Sequence, residues 1–191
     1  TRSIVPGLSD DSYDTDGQLT KQHIRALTIC SLEPRPGEVL WDIGGGSGSI
    51  AIEWLRSSPR TRALCAESDE VRATRITANA NALGVPHLRV VGAAPESLID
   101  APAPDAVFIG GGLTAEGVFD AAWAGLKPGG RLVANAVTIE SEQMLWQLRQ
   151  RFGGHISRFD ISTEHAIGGF TALKAALPVT QWRVVKEGSN E

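Results

Sequence analysis

Three glycines at alternate positions, Gly44, Gly46 and Gly48, follow an apolar run that carries one carboxylate, Asp42. A second carboxylate, Glu67, stands nineteen residues after Gly48. Alternating glycines leave a turn bare of side chains, so a ligand can lie directly against backbone. A carboxylate that ends the next apolar stretch, Ala63-Leu64-Cys65-Ala66, can accept hydrogen bonds from both hydroxyls of a ribose. The chemistry this spacing suits is binding of a nucleotide-like cofactor.

The glycine pattern discriminates among nucleotides. A dinucleotide fingerprint that starts at Gly44 needs a small glycine or alanine five residues on, and Ser49 stands there. A phosphate-binding loop would need Gly-Lys-Ser/Thr at that point, and the chain reads Ser49-Ile50. The remaining pattern, Asp42-x-Gly44-x-Gly46-x-Gly48, resembles motif I of the class I methyltransferases that use S-adenosylmethionine. The resemblance implies that cofactor, with S-adenosylhomocysteine as product. Asp42 would favour its cationic end, directly or through water. An ordinary strand-to-helix turn with incidental glycines is the structural alternative.

Elements must hold these groups in place. Val39, Leu40, Trp41 and Ile43 predict a buried strand ahead of the glycines, and Ile50/Trp54 with Ala51/Leu55 predict a helix after them. Upstream, Ile24, Leu27 and Ser31 fall on one helical face, with Thr20 as the N-cap and Pro34 and Pro36-Gly37 as the stop. Downstream, Asp69 caps a helix that runs to about Leu83 and closes at Gly84. A third strand follows over 87–91, a short helix over 95–100 and a fourth strand over 106–109. Thr114 opens a helix carrying Val118, Phe119, Ala122 and Leu126. Leu126-Lys127-Pro128-Gly129-Gly130 turns into a fifth strand over 131–137, and a helix over 141–152 holds Leu145, Leu148 and Phe152 on one stripe. The last forty residues predict two further strands, paired as a hairpin, with Gly168-Gly169 and Pro178 as breaks. Strand–helix alternation implies an α/β fold with a parallel sheet covered by helices on both faces. The motif I resemblance implies its Rossmann-like class I methyltransferase form, with a mostly parallel seven-stranded sheet. Residues 1–19 are polar and too poor in apolar side chains to pack alone. They read as an N-terminal arm or lid ahead of a methyltransferase domain at 20–191, removable with little loss of stability.

Other constellations carry weaker signals. Gly92-Ala93-Ala94-Pro95 follows strand three, where such folds seat adenine; Ala94 is a backbone contact there or part of a plain turn. After strand four, Gly110-Gly111-Gly112 offers clearance and no side-chain acceptor. An Asn/Asp-Pro-Pro-Tyr motif is missing at that point, and no Asp or Glu lies between Val107 and Thr114 to hold a divalent metal. The glycine floor suits a large, flat substrate. Asn135 and Thr138 interrupt an apolar strand at its carboxyl end, so they face a substrate pocket or satisfy turn backbone. His23, His87, His155 and His165 show no metal-ligand spacing.

Composition narrows the partners. Net charge is −4 without a basic run, which gives no support to bulk attraction for nucleic acid. No eighteen-residue apolar run exists to span a membrane. Cys30 and Cys65 both fall in apolar stretches and read as reduced core residues of a cytoplasmic protein. Thr1 at the start, without methionine, suggests a segment of a longer protein.

Three segments resemble a narrower family. Pro6-Gly7-Leu8-Ser9-Asp10-Asp11-Ser12-Tyr13 with Gln18-Leu19-Thr20-Lys21, then Phe108-Ile109-Gly110-Gly111-Gly112, then residues 131–140 are similar to the decarboxylating precorrin methyltransferases of cobalamin biosynthesis. The resemblance runs from about Pro6 to Trp182, and is strongest to the C-terminal half of the family's bifunctional members. It implies methylation of a precorrin of the 6B type at ring carbon 15, with loss of carbon dioxide from the acetate on carbon 12. It also implies a cofactor site at Thr20, Asp42, Gly44, Gly45, Gly46, Ser47, Gly48, Glu67 and Ala94, a homotetramer, and fusion to an N-terminal methyltransferase domain. Two departures stand out: Ala93 replaces an aspartate of many members, and an Arg-Gly-Arg stretch is missing near 164–167. A class I methyltransferase for another small molecule or RNA, and a non-enzymatic dinucleotide-binding module, are the competing readings.

Overall fold

A computed structural model describes residues 3–188 of the 191. Thr1, Arg2 and the last three residues lie outside the described residues. The chain runs α1 (Gln22–Leu32), β1 (Val39–Ile43), α2 (Ser49–Ser57), β2 (Arg62–Ala66), α3 (Glu70–Ala82), β3 (Arg89–Val91), β4 (Ala106–Ile109), α4 (Val118–Gly125), β5 (Arg131–Ala136) and α5 (Ile139–Phe152). It then forms β6 (His155–Phe159), β7 (Ser162–Ile167), β8 (Phe170–Ala175) and β9 (Val179–Val185).

Seven strands make one sheet in the order β3-β2-β1-β4-β5-β9-β6. The first five are parallel, and β9 runs antiparallel between β5 and β6. Strand order reverses between β1 and β4, which opens a crevice at the carboxyl ends of those two strands. Alternate residues of one strand feed opposite cores. Val39, Trp41 and Ile43 join Val107, Leu132, Phe119, Leu145 and Trp182 on the α4–α5 face. Leu40, Phe108 and Val133 join Ile29, Trp54 and Ile76 on the α1–α2–α3 face. Coverage on both faces explains why β1 is buried at all five positions and reads in sequence as an unbroken apolar run.

Several local expectations need correction. The N-cap of α1 is Lys21, without a side-chain cap, and the Thr20 carbonyl accepts from Arg25 Nη1. Helix α1 buries Ile24, Arg25, Thr28, Ile29 and Leu32, while Leu27 is 39% exposed, so its inward stripe is rotated from the one apolar spacing suggested. Helix α4 begins at Val118 behind Gly117 in the left-handed region, and not at Thr114. The C-terminal forty residues form four strands instead of two. Strands β7 and β8 pair only with each other, and their residues are almost all exposed. Without a buried face they leave no period-two signature. Cys65 is buried as expected, but Cys30 is exposed.

The arm is anchored by a residue distant in sequence. The Glu53 carboxylate, on α2, accepts from Gly7 N at 2.6 Å, Leu8 N at 3.1 Å and Tyr13 Oη at 3.0 Å. Arg25 Nε donates to the same carboxylate at 2.5 Å, and its guanidinium lies 4.6 Å from the Tyr13 ring centroid. Asn79 binds both the N–H and the carbonyl of Asp14. The arm is therefore seated on the domain through buried polar partners that its own poor apolar content does not reveal. No helix among the described residues is long and apolar enough to cross a membrane.

Candidate cofactor and substrate site

At the β1–β4 switch the Ala66 carbonyl accepts from Gly44 N at 3.0 Å and Gly45 N at 3.1 Å, which folds the glycine turn toward β2. On the other side, Gly110 N and Gly111 N both donate to the Ile43 carbonyl. The two glycine segments then meet backbone to backbone. A Cβ on Gly44 would stand 2.7 Å from Gly111 N, and Gly44 has a φ of +76°. A Cβ on Gly46 would stand 2.8 Å from the Gln18 carbonyl of the arm, and one on Gly48 would strike Ile76. Each glycine is needed for close approach or for its left-handed backbone.

A cleft of about 690 Å³ opens above this turn. Its walls are Gly17 to Leu19 of the arm, Thr20 and Lys21 after it, Ile24 of α1, Asp42, Gly44, Gly45 and Gly46, Ile50 of α2, and Phe108 and Gly110. Asn135 and Val137 close one side, and Phe159, Ile161, Thr163, Ala176, Leu177 and Val179 extend it toward the β7–β8 hairpin. Thr20, Asp42, Gly44, Gly45, Gly46, Gly110 and Asn135 thus line one cleft. Ser47, Gly48, Glu67, Ala94, Gly111, Gly112 and Thr138 are not among the lining. Thr138 is exposed, and its hydroxyl caps α5 by accepting from Ser141 N at 3.3 Å, so turn satisfaction describes it better than pocket contact. Ala94 is partly buried against the core beside Pro95.

Glu67 sits at the outer edge of the glycine turn. One carboxylate oxygen accepts from Gly46 N at 2.8 Å and the other from Asp69 N at 3.0 Å. Two backbone amides thus fix the group while each oxygen keeps a lone pair for a further donor. Asp42 is 1% exposed and accepts from Ala51 N at 3.0 Å at the start of α2. Burial pushes its carboxyl up to about 7, against the lowering by the Ala51 amide and the Cys65 thiol. Burial, with Asp42 beside it, drives the Cys65 thiol well above its ordinary range. Ser47 Oγ is buried without a hydrogen-bond partner. A bare glycine cradle, an unpartnered hydroxyl and a fixed acid at the end of β2 fit a nucleoside cofactor. Among the described residues no group of three His, Cys, Asp or Glu is arranged to hold a metal.

A family model described as a precorrin methyltransferase domain matches residues 11–186. The chain belongs to that family. A precorrin-6Y C(5,15)-methyltransferase (decarboxylating) from Sinorhizobium is 51% identical over 184 residues, covering 96% of this chain and 45% of that protein. The chain thus spans less than half the length of the first curated relatives it matches. A shorter relative from Pyrobaculum calidifontis, named as a probable cobalt-precorrin-6B C(15)-methyltransferase (decarboxylating), is 30% identical, covering 92% of this chain and 93% of its own. Among solved structures, the C-terminal domain of precorrin-6Y C5,15-methyltransferase from Rhodobacter capsulatus matches with a TM-score of 0.90 and 44% identity, covering 97% of this chain and all of that one. Likeness of fold alone reaches a SAM-dependent O-methyltransferase from Thermotoga maritima at a TM-score of 0.73 and 16% identity. The fold is that of the class I methyltransferases.

Sequence reasoning missed two groups. Tyr13, Arg25 and Glu53 were not singled out, because a buried ion pair between separate helices has no local spacing. Gln181 was missed as well: Val179–Val185 also carries Thr180 and Arg183, so one further polar residue there gives no signal of its own.

Proposed function

We propose that this chain methylates a precorrin of the 6B type at ring carbon 15 and releases the acetate carboxylate on carbon 12 as carbon dioxide. The observation that carries the reading is one of lengths. The chain aligns with 45% of relatives named for two methylations and with 93% of a relative named for the carbon-15 reaction. The shared segment is the one whose relatives carry the decarboxylating name at both lengths.

S-adenosylmethionine, when bound, supplies an activated methyl group, so the chain itself needs no nucleophile. Its residues have to hold and align. Gly44 to Gly48 and Glu67 would take the nucleoside, with Thr20, just after the arm, beside them. Asp42 would favour the cationic end, and Ala94 is a backbone candidate for the adenine. The cleft beyond them has apolar walls at Phe108, Val137, Phe159, Leu177 and Val179, which suit the face of a macrocycle. Gly110, without a side chain, leaves its floor low. Lys21 is the one basic residue of the lining, and its Nζ stands 3.9 Å from Asp10. An acetate carboxylate held there lacks a strong buried cation, which would stabilise the ground state and slow loss of carbon dioxide. The electron pair left by the departing carboxylate would pass into the conjugated macrocycle.

Further parts of the reading concern setting. Ile167, Phe170, Leu173 and Leu177 are exposed on or beside the β7–β8 hairpin, which supports association of copies, as a tetramer in the family's manner. Fusion to an N-terminal methyltransferase domain agrees with the length of the longer relatives. Two free cysteines support the cytoplasm as its compartment. Mass spectrometry of a precorrin-6B-type substrate incubated with the protein and S-adenosylmethionine tests the function. One methyl gained together with one carbon dioxide lost is the expected product; an unchanged substrate with a cofactor-loaded protein refutes it.

A further inference from the structure

Four side chains behind the cleft share one hydrogen-bond circuit. Ser31 Oγ donates to Gln181 Oε1 at 2.7 Å. Gln181 Nε2 donates to Asn135 Oδ1 at 2.8 Å and to Thr28 Oγ1 at 3.2 Å. Asn135 Nδ2 donates to Thr28 Oγ1 at 3.1 Å. Thr28 and Gln181 are buried, so water cannot replace a missing partner cheaply.

The circuit selects one orientation of both amides. As drawn, every one of the four contacts carries a hydrogen. Turning over one amide alone sets N–H against N–H, or oxygen against oxygen, between Asn135 and Gln181. Turning over both keeps the Ser31 and Asn135 bonds to Gln181, but the single Thr28 hydroxyl hydrogen then faces two carbonyl oxygens. One oxygen–oxygen contact of 3.1 or 3.2 Å would be left without a hydrogen.

Orientation decides what Asn135 shows to the cleft it lines. Its oxygen is taken by Gln181, and one of its two amide hydrogens by Thr28. The second hydrogen has no acceptor among the described residues. We propose that Asn135 presents a single N–H donor to the substrate and selects an oxygen acceptor there, a carboxylate or ring carbonyl. Gln181 is the positioning residue that keeps the donor outward. The inference rests on the proposed function for the identity of the substrate, whereas the circuit itself does not.

Gln181→Glu tests this directly. The new carboxylate cannot donate to Asn135 Oδ1 at 2.8 Å, so Asn135 must turn over to donate to it, which shows its carbonyl to the cleft and leaves one of the two Thr28 contacts without a hydrogen. The KM for the precorrin should rise at least tenfold with a smaller change in kcat, and affinity for S-adenosylhomocysteine by calorimetry should stay within twofold. Asn135→Ala should raise KM similarly, and Gln181→Glu should add nothing in that background. Asn135→Asp, which keeps the acceptor for Gln181 and replaces the donor, should raise KM further still, and serves if Gln181→Glu does not fold. Wild-type KM in both Asn135 variants would overturn the donor. A Gln181→Glu effect that persists in full on top of Asn135→Ala would overturn the positioning role. Failure of the unaltered protein to turn over precorrin at all would instead overturn the proposed function.

Discussion

Replacing Glu53 with alanine removes the acceptor of four hydrogen bonds at once: two arm amides, the Tyr13 hydroxyl and Arg25 Nε. Arg25 has no exposed side-chain surface and Glu53 has 2%. After the substitution, the guanidinium keeps Asp10 at 3.2 Å and two backbone carbonyls, but its buried countercharge is gone. Breaking a buried pair on one side costs about 3–5 kcal/mol. In a chain of this size each kcal/mol moves the melting midpoint by about 2–4 °C, so a fall of roughly 6–20 °C is expected. Tyr13→Phe deletes one bond of the four, a hydrogen bond to a charged group, and should cost about 1.5–3 kcal/mol. Thermal unfolding followed by circular dichroism measures both. The arm would also loosen where the Gln18 carbonyl overlies Gly46, so cofactor affinity should fall with stability. A Glu53→Ala protein that melts within about 2 °C of the parent, with its arm still protected from protease, would refute the argument.

Two further outcomes follow from the acidic groups at the glycine turn. Glu67→Ala should weaken S-adenosylmethionine binding at least tenfold in calorimetry, since a charge-assisted contact contributes about 1.5–3 kcal/mol; unchanged affinity would remove Glu67 from the site. Asp42, raised by burial to about 7 from an ordinary 3.8, favours the folded state when protonated. Its contribution is complete below pH 3.8 and is lost as pH rises through about 7, a span worth about 4 kcal/mol. Asp42→Asn should flatten the change in urea-unfolding free energy between pH 5 and pH 8, and equal pH slopes in the two proteins would count against a protonated Asp42.

Legibility in the sequence followed burial. Strands β1, β2 and β4 are covered on both faces, so they appear as plain apolar runs and their bounds can be read almost to the residue. Asp69 and Gly84 mark the ends of α3 because capping is local chemistry. The start of α4 could not be read: Gly117, and not Thr114, is the N-cap, and it has no side chain to announce it. A C-terminal hairpin could be read, but not that four strands lie there, since β7 and β8 bury neither face and leave no period-two pattern.

The amino-acid sequence by itself determined the α/β class, the glycine turn and the acid at the end of β2, because each depends on contacts within some thirty residues. It also carried the family, through motifs spread along the chain. Only the tertiary structure decided how the arm is held and which atom Asn135 offers. Glu53 lies 46 residues from Gly7, and Gln181 lies 46 residues from Asn135. Their meeting is set by the packing of α1 and α2 and by the insertion of β9 between β5 and β6. Local propensity carries no information about such encounters; burial then makes each one costly to leave unsatisfied.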